Sequence, residues 1–131
     1  GVQMEVGPVA TEFEQEDIGT TLGKCERYFQ KWDVEATLGA GLWFSGVQLL
    51  GNLSFRQIMR TSPTMSVSSA DFVKAYKDGE AIDSNDSASP FDLININSAR
   101  FNLTMASAAT DGMGALIQLQ GSEYIHVDAE L

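Results

Sequence analysis

His126 is the single histidine of the chain, three residues after Glu123 and two before Asp128. A base between two acids is the start of a nucleophile-base-acid set, and it would need a Ser or Cys brought beside it. Nothing in the spacing brings one there, so His126 reads as a half-buried strand histidine near a subunit interface. Cys25, the single cysteine, has Lys24 and Arg27 close by. A reactive thiolate wants an electropositive and accessible setting, but Cys25 falls on an apolar helical stripe and reads as an inert core thiol. Paired carboxylates that cut glycosidic bonds stand about 5–10 Å apart across a cleft. The acids here gather instead in an N-terminal stretch and in turns such as Asp78-Gly79-Glu80. Asp83-Ser84-Asn85-Asp86-Ser87 offers oxygen at alternate positions as a calcium loop does, but Ala88 stands where the sharp turn wants Gly and no Glu closes the loop. It reads as a solvated loop. No catalytic residue, metal or cofactor is therefore assigned.

Glycan binding needs no catalysis, only an aromatic face beside amide or carboxylate side chains. Trp43, Tyr76 and Tyr124 are the candidate platforms, and Asn85 and Asp86 the candidate polar partners. Trp43 on an apolar strand is more often a core residue, and Trp32 reads as structural.

These side chains need a scaffold. At 131 residues with 44% hydrophobic composition, one domain can bury a core without staples, and one cysteine excludes an internal disulfide framework. No apolar run approaches the roughly 20 residues that span a bilayer, and no basic-then-apolar leader pattern is present. Eight Lys and Arg against eighteen Asp and Glu, net −10, disfavour a phosphate backbone or an anionic membrane surface. The acidity serves solubility.

One helix is expected over Ile18 to Trp32. Ile18, Leu22, Cys25, Phe29 and Trp32 fall within an arc of roughly 80°, with Lys24, Arg27, Gln30 and Lys31 elsewhere. Asp17 suits the N-cap. Gly19 and Gly23 cost about 1 kcal/mol each relative to Ala, so packing must hold this helix. The rest reads as strands. Val2, Met4 and Val6 alternate; Leu42 to Leu50 is a long apolar run; Met65 with Val67 and Phe72 to Tyr76 are short strands. Lys77-Asp78-Gly79 marks a turn, and Asp83 to Pro90 a loop. Phe91 to Ile96, Arg100 to Met105, Ala115 to Leu119 and Ser122 to Val127 follow. Eight or so short strands with frequent turns predict an all-β, jelly-roll-like antiparallel β-sandwich with one N-terminal amphipathic α-helix. Residues 1–16 read as an end strand and acidic connector, pinned by Phe13, and 17–131 as the helix plus sandwich.

Four segments in order carry a resemblance: GVQMEVGPVATEFE at the start, CERYFQKW at Cys25 to Trp32, FRQIMRTSPTMSV at Phe55 to Val67, and YIHVDAEL at the end. Together they resemble the C-terminal module of bacteriophage tail-fibre and related virion appendage proteins. Glu12 replaces a common proline, and Gly23-Lys24 a more apolar pair. The resemblance implies a C-terminal piece of a longer, non-enzymatic virion protein, assembled in the host cytoplasm and acting outside it. It also implies a homotrimer whose partners are other virion proteins and a host-surface glycan or protein. With no heptads, sheet faces or edges would make the subunit contacts. Arg60 is expected in a buried or interface hydrogen bond. Alternatives are a carbohydrate-binding module of a secreted enzyme or adhesin, and a capsid or baseplate jelly roll touching only virion proteins.

Overall fold

The computed structural model describes Val9 and residues 15–77, 79–84 and 90–130; the expected strand over Val2 to Val6, Phe13, and Asn85 with Asp86 lie outside them. Helix α1 (Ile18–Glu26) is followed by β1 (Phe29–Asp33), β2 (Thr37–Ser45), β3 (Gln48–Ser54), β4 (Thr64–Val67), β5 (Val73–Lys77), β6 (Glu80–Asp83), β7 (Phe91–Asp92), β8 (Ser98–Thr104), β9 (Gly114–Leu119) and β10 (Tyr124–Asp128). Every pairing is antiparallel. The strands form a three-stranded sheet, β1-β10-β4, and a seven-stranded sheet, β6-β5-β9-β2-β3-β8-β7. This is the all-β sandwich that the alternation predicts. Among the described residues no helix is long and apolar enough to cross a membrane.

The period-2 patterns decide which face is core. Trp32, Ile125 and Val127 point inward from the small sheet. They meet Val73, Ala75, Trp43, Leu49, Leu53, Phe101, Leu103, Ile117 and Leu119 from the large one in a single buried cluster. Phe91 extends it at the β7 end, its ring 5.2 Å from that of Phe101. Pro63 stands immediately before the edge strand β4, where its missing N–H costs no ladder bond.

Several expectations change. The helix stops at Glu26 rather than Trp32; Tyr28 N closes on Cys25 O at 2.9 Å, and the chain turns into β1. Phe29 and Trp32, three apart, fit a helix's period, whereas Gln30 and Trp32, two apart, share a face only in a strand. Pairing with β10 gives that segment five register partners, which a short glycine-containing helix cannot match. Asp17 does cap the helix, its Oδ2 accepting from Gly19 N at 3.0 Å and Thr20 N at 3.2 Å. The helical stripe is not buried: α1 has no buried residue, and Ile18, Leu22 and Cys25 are all exposed. The Leu42 to Leu50 run is a hairpin rather than one strand, turning at Gly46 (φ 51°) and Val47. The Phe91 strand ends at Asp92, because Leu93 adopts φ 47°.

Candidate functional site: the outer face of the large sheet

The sequence candidates do not come together. Trp43, named as a platform, is 1% exposed and offers no stacking face; it stands in the core on the inward row with Leu49, its register partner on β3. Tyr124 lies on the outer face of the small sheet, with the His126 ring stacked at 4.3 Å and 22° and the Lys31 ammonium 5.4 Å from its centroid. His126 therefore covers one face of the ring, and Lys31 crowds it. Tyr76 sits on the outer face of the other sheet and is 38% exposed, so it shares no site with Tyr124. The His126 ring also meets Phe29 edge-on at 5.2 Å. Ser66 is its register partner, and no side-chain hydrogen bond joins them among the described residues. Glu123 is instead bonded to Ser68 Oγ, and Asp128 accepts from Glu130 N at 2.8 Å. Ser84, in the loop with calcium-like spacing, is buried; its Oγ donates to Ala70 O at 3.0 Å. Arg60 is exposed rather than buried, its guanidinium 5.4 Å over the Tyr28 ring.

What the sheet does build is a groove. When Trp43, Leu49, Phe101 and Ile117 turn inward, the intervening residues must turn out. In the outward rows Tyr76 pairs with Leu116, Leu116 with Ala40, and Leu42 with Leu50. The result is an open groove of about 880 Å³, floored by Ala40, Leu42 and Leu50 and rimmed by Phe44 and Leu93. Phe44 and Leu93 are each about two-thirds exposed, at 65% and 67%. Contiguous exposed apolar surface of this kind marks an interaction site, where scattered single residues do not. Leucines on a strand's polar side were present in the sequence, but only strand order shows that they adjoin.

One wall is polar. Arg100 donates to Asp92 through Nε at 2.6 Å and Nη2 at 2.7 Å, a bidentate pair, and Asn102 Nδ2 adds a bond at 3.2 Å. The hydrogen bonds from Arg100 hold the Asp92 carboxyl below the usual carboxylate range, against the opposing pull of partial burial. Arg100 is thus neutralised beside an apolar floor, and the groove presents no net charge. A carboxyl depressed in the folded state stabilises it above the unfolded-state value and loses that contribution as pH falls through the folded value. Asp92→Asn is therefore expected to lower the melting temperature modestly at pH 7. The gap should close as acid takes the solution below the ordinary carboxylate range. Melting curves of both proteins from neutral to acid pH check this, and a gap that persists in acid contradicts it.

Comparison with family models, with curated proteins and with solved structures finds no match to this chain.

Proposed function

We propose that the chain is a non-enzymatic structural module of a virion appendage, a phage tail fibre, head fibre or similar receptor-binding protein, which self-associates as a trimer and contributes to host attachment. The four ordered segments, above all CERYFQKW and the closing DAEL, supply the virion reading. The observation that carries the assembly reading is the groove and its surroundings, where Leu42, Phe44, Leu93 and Leu116 stand exposed on one sheet face. A chain carrying −10 repels its own copies, so an uncharged apolar face is where they can meet. The depletion of charge at the centre of such a patch matches the core of a protein interface. Tyr76, exposed on the same face, remains the described candidate for a glycan contact.

Light scattering across a dilution series tests this. Three times the chain mass, maintained on dilution, is the expected result; a monomer at every concentration overturns the assembly reading. A glycan array probed with the assembled protein then separates host attachment from contacts confined to the virion.

A further inference from the structure

Three of the chain's four arginines stand together, where the last turn of α1 meets the segment after β3. Arg60 N donates to Arg27 O at 2.8 Å, and Arg56 reaches Glu26 at 3.9 Å. Two of the guanidiniums rest on aromatic rings: that of Arg60 lies 5.4 Å over Tyr28, and that of Arg56 5.1 Å over Trp32. We infer that this cluster, centred on Arg27, Tyr28 and Arg60, binds the carboxylate or phosphate of an acidic sugar. The inference rests on the host-attachment half of the reading above and gives it a site outside the groove, whose lining includes none of these residues.

The fourth arginine shows what a guanidinium does when the fold itself uses it. Arg100 gives two hydrogen bonds to Asp92. Arg27, Arg56 and Arg60 donate no side-chain hydrogen bond among the described residues, and the contact of Arg56 with Glu26 is too long to be one. Each guanidinium carries five N–H donors, so the cluster holds a set of donors that its own chain leaves open. Nor does the end of α1 need these charges. Its closing carbonyls are already bonded, Cys25 O by Tyr28 N at 2.9 Å, Glu26 O by Gln30 Nε2 at 3.0 Å, and Arg27 O by Arg60 N. A guanidinium laid on a ring is held in place with its N–H edges free for a bidentate acceptor. Tyr28 is 41% exposed, and Arg27 and Arg60 are exposed, so a ligand can reach them.

Charge selects the class of ligand. In a chain with eighteen Asp and Glu against eight Lys and Arg, three arginines around one glutamate are a local reversal of sign. The acids nearby are engaged: Glu16 with Lys24, Glu26 with Arg56, and Asp128, across from Phe29, with Glu130 N at 2.8 Å. Arg27 and Arg60 have no ion-pair partner among the described residues. An isolated anionic group gains from these arginines, whereas an extended polyanion such as a nucleic acid also meets the acidic remainder of the surface. A sugar chain with sparse carboxylates or phosphates satisfies both conditions.

Titration of the full chain with glucuronic acid, glucose 6-phosphate and glucose, read from the arginine Nε–H resonances by NMR, tests this. The two acidic sugars should move the Arg27 and Arg60 signals saturably and glucose should not; the tighter of the two identifies carboxylate or phosphate as the preferred group. Arg27→Gln and Arg60→Gln change exposed positions, and each should weaken binding about tenfold or more with circular dichroism unchanged. Lys77→Gln makes the same change in net charge on the large sheet and should leave the affinity unaltered. Glu130→Gln, beside the Ala129 N–H that meets Tyr28 O at 2.7 Å, removes a nearby acid and should tighten binding. The sugar site is overturned by the absence of a saturable response to either acidic sugar, or by equal losses in Lys77→Gln and Arg60→Gln. It is also overturned if acetate and inorganic phosphate reproduce the response at the same concentrations, an adventitious ion only. Tighter binding of tetraglutamate would overturn it too, and assign the patch to an acidic protein partner. All of these outcomes leave self-association standing, whereas a monomer that binds glucuronic acid would remove the assembly reading and keep this site.

Discussion

Gln30→Leu is expected to destabilise the fold by about 2–4 kcal/mol, as three backbone groups lose their partner at once. Gln30 is 2% exposed. Its Nε2 donates to Glu26 O at 3.0 Å and to Gln57 O at 2.9 Å, and its Oε1 accepts from Arg56 N at 2.9 Å. One amide thereby ties the last turn of α1, strand β1 and the segment after β3. Leucine fills similar space but leaves those groups unsatisfied. Urea unfolding measures the loss, and a cost below about 1 kcal/mol would mean that water replaces the amide without penalty. Gln30→Glu gives a second reading. A carboxylate facing two carbonyls is repelled and desolvated, so its pKa rises in the folded state. A raised pKa makes the protein most stable below the unfolded-state value and less so as pH rises through the folded value. Gln30→Glu should therefore be worse than Gln30→Leu at pH 7, with the order narrowing or reversing in mild acid. Because the same amide holds the end of α1, both variants should also loosen that helix.

Gln30 shows where the sequence stops being informative. On a helical wheel it falls off the apolar arc, and nothing about a lone glutamine announces three backbone partners. The burial follows from β1 being a strand, and that depends on β10 at the far end of the chain. The helix start was legible because Asp17 acts locally; the helix end was not, because long-range pairing competes there. Likewise, alternation over Arg100 to Met105 and Ser122 to Val127 showed strands and their two faces. It did not show that Leu42, Leu50 and Leu116 would adjoin, since this depends on strand order. The Leu42 to Leu50 run carried one turn signal, Gly46, which its apolar neighbours masked. For the candidate site, Tyr76 stands exposed on the same sheet face but outside the groove's lining, so the groove was not legible from the sequence. Of the other two candidate platforms, Trp43 lies in the core, as its apolar strand favoured, and Tyr124 is stacked against His126 with Lys31 nearby.

Gly41 and Gly51 should prove unequal although they are register partners on β2 and β3. The Ile117 side chain from β9 lies over both: a Cβ at Gly51 would come 2.6 Å from Ile117 Cδ1, and one at Gly41 3.0 Å from the same atom. The notch between two glycines thus lets a branched side chain reach across neighbouring strands at the centre of the core. Gly51→Ala is expected to cost about 1–3 kcal/mol, the usual range for overpacking. Its worst contact is the end of a side chain, so Ile117→Val, which removes Cδ1, should relieve it. The valine change alone costs about 0.5–1.5 kcal/mol, and the double variant should be little less stable than that single one. Gly41→Ala differs because its Cβ would also stand 2.7 Å from the Leu50 carbonyl oxygen, and backbone in the middle of a seven-stranded sheet cannot step aside. It should cost more than Gly51→Ala, and Ile117→Val should not rescue it. Unfolding free energies for the three single and two double variants test the pair, with couplings above about 0.5 kcal/mol counted as real. Simple additivity at Gly51 would mean that Ile117 already finds another rotamer, and rescue at Gly41 would mean that the strand yields where it is held on both sides. Since Leu50 floors the groove on the opposite face, a shift of its backbone in Gly41→Ala should weaken self-association as well as stability, whereas Gly51→Ala rescued by Ile117→Val should leave assembly intact.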